Sequence, residues 1–215
     1  MSPESRAPLG AMLEEDSARA RTQDEMTGRI LDAALAEFTE FGLRRVSADD
    51  VARRAGISRA TLYRRFPGGK SQLVQQVMAR DMRRFLAEVD AAVSGLPSLE
   101  EQLVEGILVA LRTARADPLL ARLSVTEPDT LLPYLTTEAG PLIAAAAGYL
   151  GDRYRRAQAD GLAPPGDPPV APSAVAEIMV RLAISFYLAP ESGHFTDEAS
   201  SRVLLKRLVR ALMRG

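Results

Sequence analysis

Gly68, Gly69, Lys70 and Ser71, in the stretch FPGGKS, are the residue types that hold a phosphate: a pliant backbone, an ammonium and a hydroxyl. A nucleotide loop ending in Gly-Lys-Ser has another glycine five positions before the last one and joins a strand to a helix. Here that position is Arg64, and the segment before it has helical periodicity. Without the glycine and the strand there is no nest of amides for a nucleotide. A helix start remains, where unpartnered N–H groups and the helix dipole carry partial positive charge beside Lys70.

The charge around this stretch points the same way. From Leu43 to Lys70 the basic residues are Arg44, Arg45, Arg53, Arg54, Arg59, Arg64, Arg65 and Lys70, opposed only by Asp49 and Asp50. The segment carries about +6 and the remainder about −7. A basic block in an acidic chain is an electrostatic footprint for a polyanion; a solvated helical face is the bland alternative.

The elements that must position these residues are helical. Aromatics are sparse, tryptophan and cysteine are absent, and Ala and Leu abound, which favours helix and excludes a disulfide framework. The fold class expected is all-α, in a soluble, cytoplasmic protein without cofactor. Residues 1–21 read as a flexible arm, with order starting at the capping-box pair Thr22 and Glu25. Apolar positions from Ile30 to Phe41 follow at helical spacing, stopped by Gly42. Ser47 and Ser58 can each cap a short helix, and a longer one covers 70–93. Ser98 opens another to 116. Pro118, Pro128 and Pro133 break 117–136 into short pieces, and 138–160 is helical. Five prolines make 161–172 a loop, before helices 173–189 and 196–214, the last capped by Thr196. The expected division is 22–69 for a DNA-binding unit and 70–215 for a larger helical domain, with helix 70–93 connecting the two.

VSADDVARRAGISRATLYRRF, residues 46–66, has a helix-turn-helix pattern. Gly56 supplies the left-handed turn residue, Ala52 allows close approach, and Val51, Ala55, Ile57 and Leu62 supply shared apolar contacts. Arg59, Ala60, Tyr63 and Arg64 are left facing outward, with Thr61 at the N-terminal end that enters a major groove. Arg59 has the fork for guanine O6 and N7, and Thr61 suits a base edge or a thymine methyl. Ser47, Tyr63 and Lys70 suit phosphates, which set register.

RILDAALAEFTEFGLRRVSADDVARRAGISRATLYRRFPGGKSQLV, residues 29–74, resembles the DNA-binding domain of the TetR (tetracycline-repressor) family of bacterial transcriptional regulators. The resemblance rests on Ile30-Leu31, Ala34, Phe38 and Gly42, on Val51-Ala52 and Ala55-Gly56-Ile57-Ser58, and on Thr61-Leu62-Tyr63, Phe66, Lys70 and Leu73. Ala60 stands where the family often has Gly, and the turn from Phe66 to Lys70 is one residue longer than usual. The resemblance implies DNA contacts from Ser47, Ser58, Arg59, Ala60, Thr61, Tyr63, Arg64 and Lys70, a homodimer on a palindromic operator, and a small-molecule effector held in the C-terminal helices.

The last two helices carry broad apolar faces that suit dimerisation, or else complete the monomer core. Candidate effector contacts are Glu105, Arg112, Tyr149, Arg153, Met179 and Phe186; the arginines can meet an acidic effector or stay solvated. His194, the lone histidine, suits a solvated loop, and no nucleophile–base set or metal cluster can be assembled. The chain reads as a regulator, most simply a repressor, and not as an enzyme. The alternatives are a DNA-binding regulator without an effector and, disfavoured by Arg64, an NTPase. Arg19 and Arg21 either reach a minor groove from the N-terminal arm or belong to a disordered arm that makes no contact.

Overall fold

The computed structural model describes the backbone of residues 9–163, 170–189 and 197–214, and the side chains of 24–163, 170–189 and 197–212. Among the described residues every regular element is a helix, as the composition predicts. The chain divides into two compact units, Met1–Ala79 and Arg80–Gly215.

The first unit contains α1 (Leu9–Phe41), α2 (Ala48–Arg54), α3 (Arg59–Arg65) and the start of α4 (Gly69–Val93). Helix α1 starts well before Thr22, so the expected arm is helical from Leu9 onward. AMLEEDSARAR, residues 11–21, has no Pro or Gly and is rich in strong helix formers, so nothing stops the helix from passing through the capping-box pair. Gly42, at φ +87°, ends α1 and returns its N–H to the Phe38 carbonyl at 2.9 Å.

Ile30, Ala34 and Phe38 of α1, Val51 of α2 and Leu62 of α3 are fully buried, as are Leu73 and Val77 of α4. The first unit therefore extends past residue 69 into α4. Polar ties hold α1 to the shorter helices. Arg54 pairs with Glu37 at 3.1 Å and Glu40 at 2.7 Å, Arg29 donates to the Ala55 carbonyl at 3.1 Å, and Arg65 donates to the Thr27 hydroxyl at 3.2 Å.

Ser47 opens α2 with a complete capping box. Its hydroxyl accepts the Asp50 N–H at 3.2 Å, and its own N–H donates to the Asp50 carboxylate at 2.9 Å. The hydrogen bonds from Ser47 hold the Asp50 carboxyl below the usual carboxylate range. A carboxyl depressed on folding stabilises above its unfolded value, 3.8, and that stabilisation is lost as pH falls through the depressed one. Ser47→Ala is expected to cost about 0.5–2 kcal/mol, measured by urea denaturation at neutral pH. The part of the difference that comes from the Asp50 carboxylate should vanish in strong acid, while the part from the lost cap bond to the Asp50 N–H should persist.

The second unit holds the rest of α4 with α5 (Leu99–Ala116), α6 (Pro118–Thr126), α7 (Pro128–Leu135), α8 (Gly140–Ala159), α9 (Pro172–Leu188) and α10 (Glu198–Arg214). Ser98 caps α5, accepting the Glu101 N–H at 3.2 Å. Pro118 and Pro128 stand at helix starts, where a missing N–H costs nothing. Pro133 does not break α7 but sits inside it, where one lost bond near the end is tolerated. The cap of α10 is Asp197, whose carboxylate accepts the Ser200 N–H at 2.8 Å; Thr196 lies outside the described residues, as do most of the 161–172 prolines and His194.

One apolar core joins Val104, Ile107, Leu108 and Leu111 of α5, Leu150 of α8, Val175 and Met179 of α9, and Leu205 and Val209 of α10. Outside it, ion pairs run along α5 and α10: Glu100 with Arg210 at 2.7 Å, Glu101 with Lys206 at 3.8 Å and Glu105 with Arg202 at 2.6 Å. Among the described residues no helix is long and apolar enough to cross a membrane.

Candidate nucleic-acid interface

Gly56 makes the turn between α2 and α3 at φ +67°, and the Ile57 N–H closes it on the Ala52 carbonyl at 3.0 Å. A Cβ at Gly56 would meet nothing within 4 Å, so the left-handed backbone, not space, requires glycine there. Ser58 caps α3, accepting the Thr61 N–H at 3.1 Å, and the Ser58 and Thr61 hydroxyls lie 2.9 Å apart. Leu62 points into the core while Arg59, Ala60, Tyr63 and Arg64 are exposed and Thr61 is half-buried. Leu62 thus anchors the short helix, which leaves a guanidinium, a methyl, a phenol and a second guanidinium exposed to solvent.

Two of these side chains are organised by neighbours. The Arg59 guanidinium pairs with Asp49 at 3.0 Å and stands over the Tyr63 ring, 5.4 Å from its centroid. Tyr63 in turn lies against Gly69, where a Cβ would come within 3.2 Å of the ring. Gly69 also has φ +56°. The FPGGKS stretch is therefore a tight turn under an aromatic ring at the head of α4. There the Gly68 N–H donates to the Gln72 side chain at 3.0 Å and the Gly69 N–H to the Phe66 carbonyl at 2.8 Å. The anion-binding expectation at this helix start contracts to the residues from Lys70 onward. The Lys70 ammonium donates to the Arg44 carbonyl at 3.2 Å, which keeps it at the edge of the basic block. Ser47, exposed at the start of α2, has its hydroxyl engaged in the capping box.

Asp49 is the residue that sequence reasoning passed over, counted only as an opposing charge. Its signal was an acid within a basic block, on the helix that precedes the outward-facing one.

The candidate effector contacts of the second unit fall into three groups. Glu105 and Arg112 pair with each other at 3.2 Å and also with Arg202 and Glu198 of α10. Arg153, buried, pairs with Asp90 at 3.1 Å and donates to the Val93 carbonyl at 3.4 Å. Tyr149, on the same helix, packs against Val89, Val93 and Val109. Burial, with the Asp90 charge adding to it, pushes its phenol up to about 12. Met179 is buried in the main apolar cluster and Phe186 packs against it.

Comparison with known proteins agrees with this geometry. Residues 30–77 match the model for bacterial regulatory proteins of the tetR family, and residues 99–207 match that for the bacterial tetracyclin repressor C-terminal domain. An uncharacterized HTH-type transcriptional regulator of Mycobacterium tuberculosis is 28% identical over 194 residues, covering 90% of this chain and 88% of the relative. Another from the same organism is 33% identical over 140 residues, 65% of this chain and 70% of the relative. The crystal structure of the TetR family repressor AlkX from a Dietzia strain, implicated in n-alkane biodegradation, is 28% identical. It superposes with a TM-score of 0.60 over 86% of this chain and 98% of that one. With the helix-turn-helix and the C-terminal helices each matched in their own right, the chain belongs to the TetR family of bacterial transcriptional regulators.

Proposed function

We propose that the protein is a homodimeric repressor that reads a palindromic operator with the exposed face of α3 and is released by a small, mainly apolar effector bound in the second unit. The observation that carries the DNA-reading part is the outward set Arg59, Thr61, Tyr63 and Arg64 on a helix anchored from behind by Leu62. Arg59 reads a guanine, Thr61 a neighbouring base edge, and Ser47, Ser58, Tyr63, Arg64 and Lys70 hold the backbone, with Ala60 leaving room for close approach.

One copy of α3 covers a half-site, so two-fold symmetry of the protein implies two-fold symmetry of the operator. Ile178 and Leu188 of α9 and Val203 and Leu204 of α10 are exposed apolar side chains on the last two helices, which supports dimerisation there. An apolar effector is favoured over an acidic one because Arg112 and Arg153 already have carboxylate partners, whereas Met179 and Phe186 belong to an apolar cluster. Hydrocarbon or acyl-chain molecules are the class to try, in keeping with the alkane connection of the similar Dietzia repressor. Effector binding would change the separation of the two α3 helices, which must meet successive grooves together.

The test is selection of bound sequences from randomised duplex DNA by the purified protein, followed by measurement of their salt dependence. An enriched palindrome with a steep salt slope is expected; no enrichment would overturn the reading. Titration with the apolar class should then lower operator affinity, and unchanged affinity would leave a regulator without that effector. Lys70→Ala is expected to weaken binding to all duplexes alike and to lessen the salt slope by about one for each half-site, read by fluorescence anisotropy at several salt concentrations.

A further inference from the structure

The Asp49–Arg59 pair has a shape that a surface ion pair need not have. The Arg59 side chain is 71% exposed and that of Asp49 43%, so the attraction alone is weak in water. Yet the two ends are unequally placed. Asp49 Oδ1 is closed off from solvent and accepts no hydrogen bond among the described residues, while Oδ2 takes the Arg59 guanidinium at 3.0 Å. The guanidinium is held by one Nη1 atom and by the Tyr63 ring beneath it, 5.4 Å away. A guanidinium has five donors; one taken by the carboxylate leaves an edge with two parallel N–H groups.

We infer that Asp49 is a specificity-determining residue, which orients Arg59 so that its remaining edge meets guanine and makes it a poor partner for phosphates. This rests on Arg59 being the base reader proposed above. If Arg59 left Asp49 to reach DNA, the carboxylate would face a polyanion with one oxygen desolvated and the other without its cation. Keeping the pair intact on the operator avoids that cost, and the rotamer entropy of a long side chain is then already lost before binding. On DNA without the matching guanine, the same carboxylate stays near phosphates with no compensating base contact. Asp49 therefore acts against wrong sequences as well as for the right one.

The experiment is a double-mutant cycle on the full-length protein with Asp49→Asn, Arg59→Ala and the pair together. Each is measured on a duplex recovered from the randomised pool and on a scrambled duplex of equal length. Asp49→Asn is expected to raise affinity for the scrambled duplex and to lower the operator-to-scrambled ratio by about three- to tenfold. In the Arg59→Ala background the uniform rise from removing a negative charge should persist, while the effect on the ratio should disappear. A ratio unchanged by Asp49→Asn, or lowered equally in both backgrounds, overturns the inference. If Arg59→Ala itself leaves the ratio unchanged, the base-reading role falls and the inference with it. Circular dichroism of each variant checks the fold, and Asp49→Glu, which keeps the charge but displaces it, should lower the ratio without raising affinity for the scrambled duplex.

Discussion

Arg59→Ala is expected to lose about 1–3 kcal/mol of affinity for each operator half-site while leaving the protein as stable as before. The side chain is mostly in solvent at the first position of α3 and contributes nothing to the core, so its removal should change stability by no more than about 0.5 kcal/mol. The loss expected is that of the two parallel hydrogen bonds to one base proposed for Arg59, which no water can replace with the same geometry. Repeating the randomised selection with the variant should show one position per half-site losing its guanine preference while the rest of the palindrome survives. Competition with scrambled DNA gives the same answer in another form: the operator complex weakens by more than the non-specific one, which loses only a positive charge. Equal weakening of both would make Arg59 a backbone contact.

Leu62→Ala should instead act through folding. Leu62 is fully buried on the inward face of α3, and Ile30, Phe38, Val51 and Phe66 are buried in the same unit. Truncation to alanine at such a site costs about 2–5 kcal/mol, depending on how far the surroundings collapse. A domain's whole stability is only about 5–15 kcal/mol, so a large part of it is at stake. The expected result in urea is a lowered midpoint for the first unit with little change in the second, followed by tryptic cleavage near the turn. Operator binding should fall with the folded fraction and recover on cooling toward the stability maximum. A variant that stays fully folded yet fails to bind would mean that Leu62 does more than anchor.

The boundaries of most helices were legible because they are written in short-range chemistry: Ser47, Ser58 and Ser98 as caps, Gly42 and Gly56 as left-handed stops, and Pro118 and Pro128 as interruptions, which the structure places at helix starts. The outward face of α3 was legible for the same reason, since helical spacing places Ala60 and Arg64 opposite Leu62 with Tyr63 to one side, and Arg59 is exposed at the first position of the helix. The start of α1 was not, because a capping-box pattern at Thr22 and Glu25 is indistinguishable in sequence from the same residues inside a longer helix. Nor were the partners of the charged candidates. Arg153 finds Asp90 across 63 residues of chain, and Arg112 finds Glu198 across 86. Such pairings depend on how helices lie against one another, which no local pattern encodes. The Asp49–Arg59 pair stands between these cases: both residues lie in the quoted motif, but only the turn at Gly56 brings them within reach.

The ring of Tyr63 over Gly69 makes the two positions dependent on one another in one direction only. A Cβ at 69 would come within 3.2 Å of the ring at 63, so the ring must give way by a few tenths of an ångström for any side chain there. Glycine at 69 asks nothing of 63 in return, and its left-handed backbone would favour glycine even over a smaller neighbour. Replacement of Gly69 is thus resisted twice, by the ring and by the backbone, whereas Tyr63 is constrained by its place beneath Arg59 and not by the glycine. The Gly-Lys-Ser triplet at the head of α4 is accounted for by a turn and a ring, without a nucleotide.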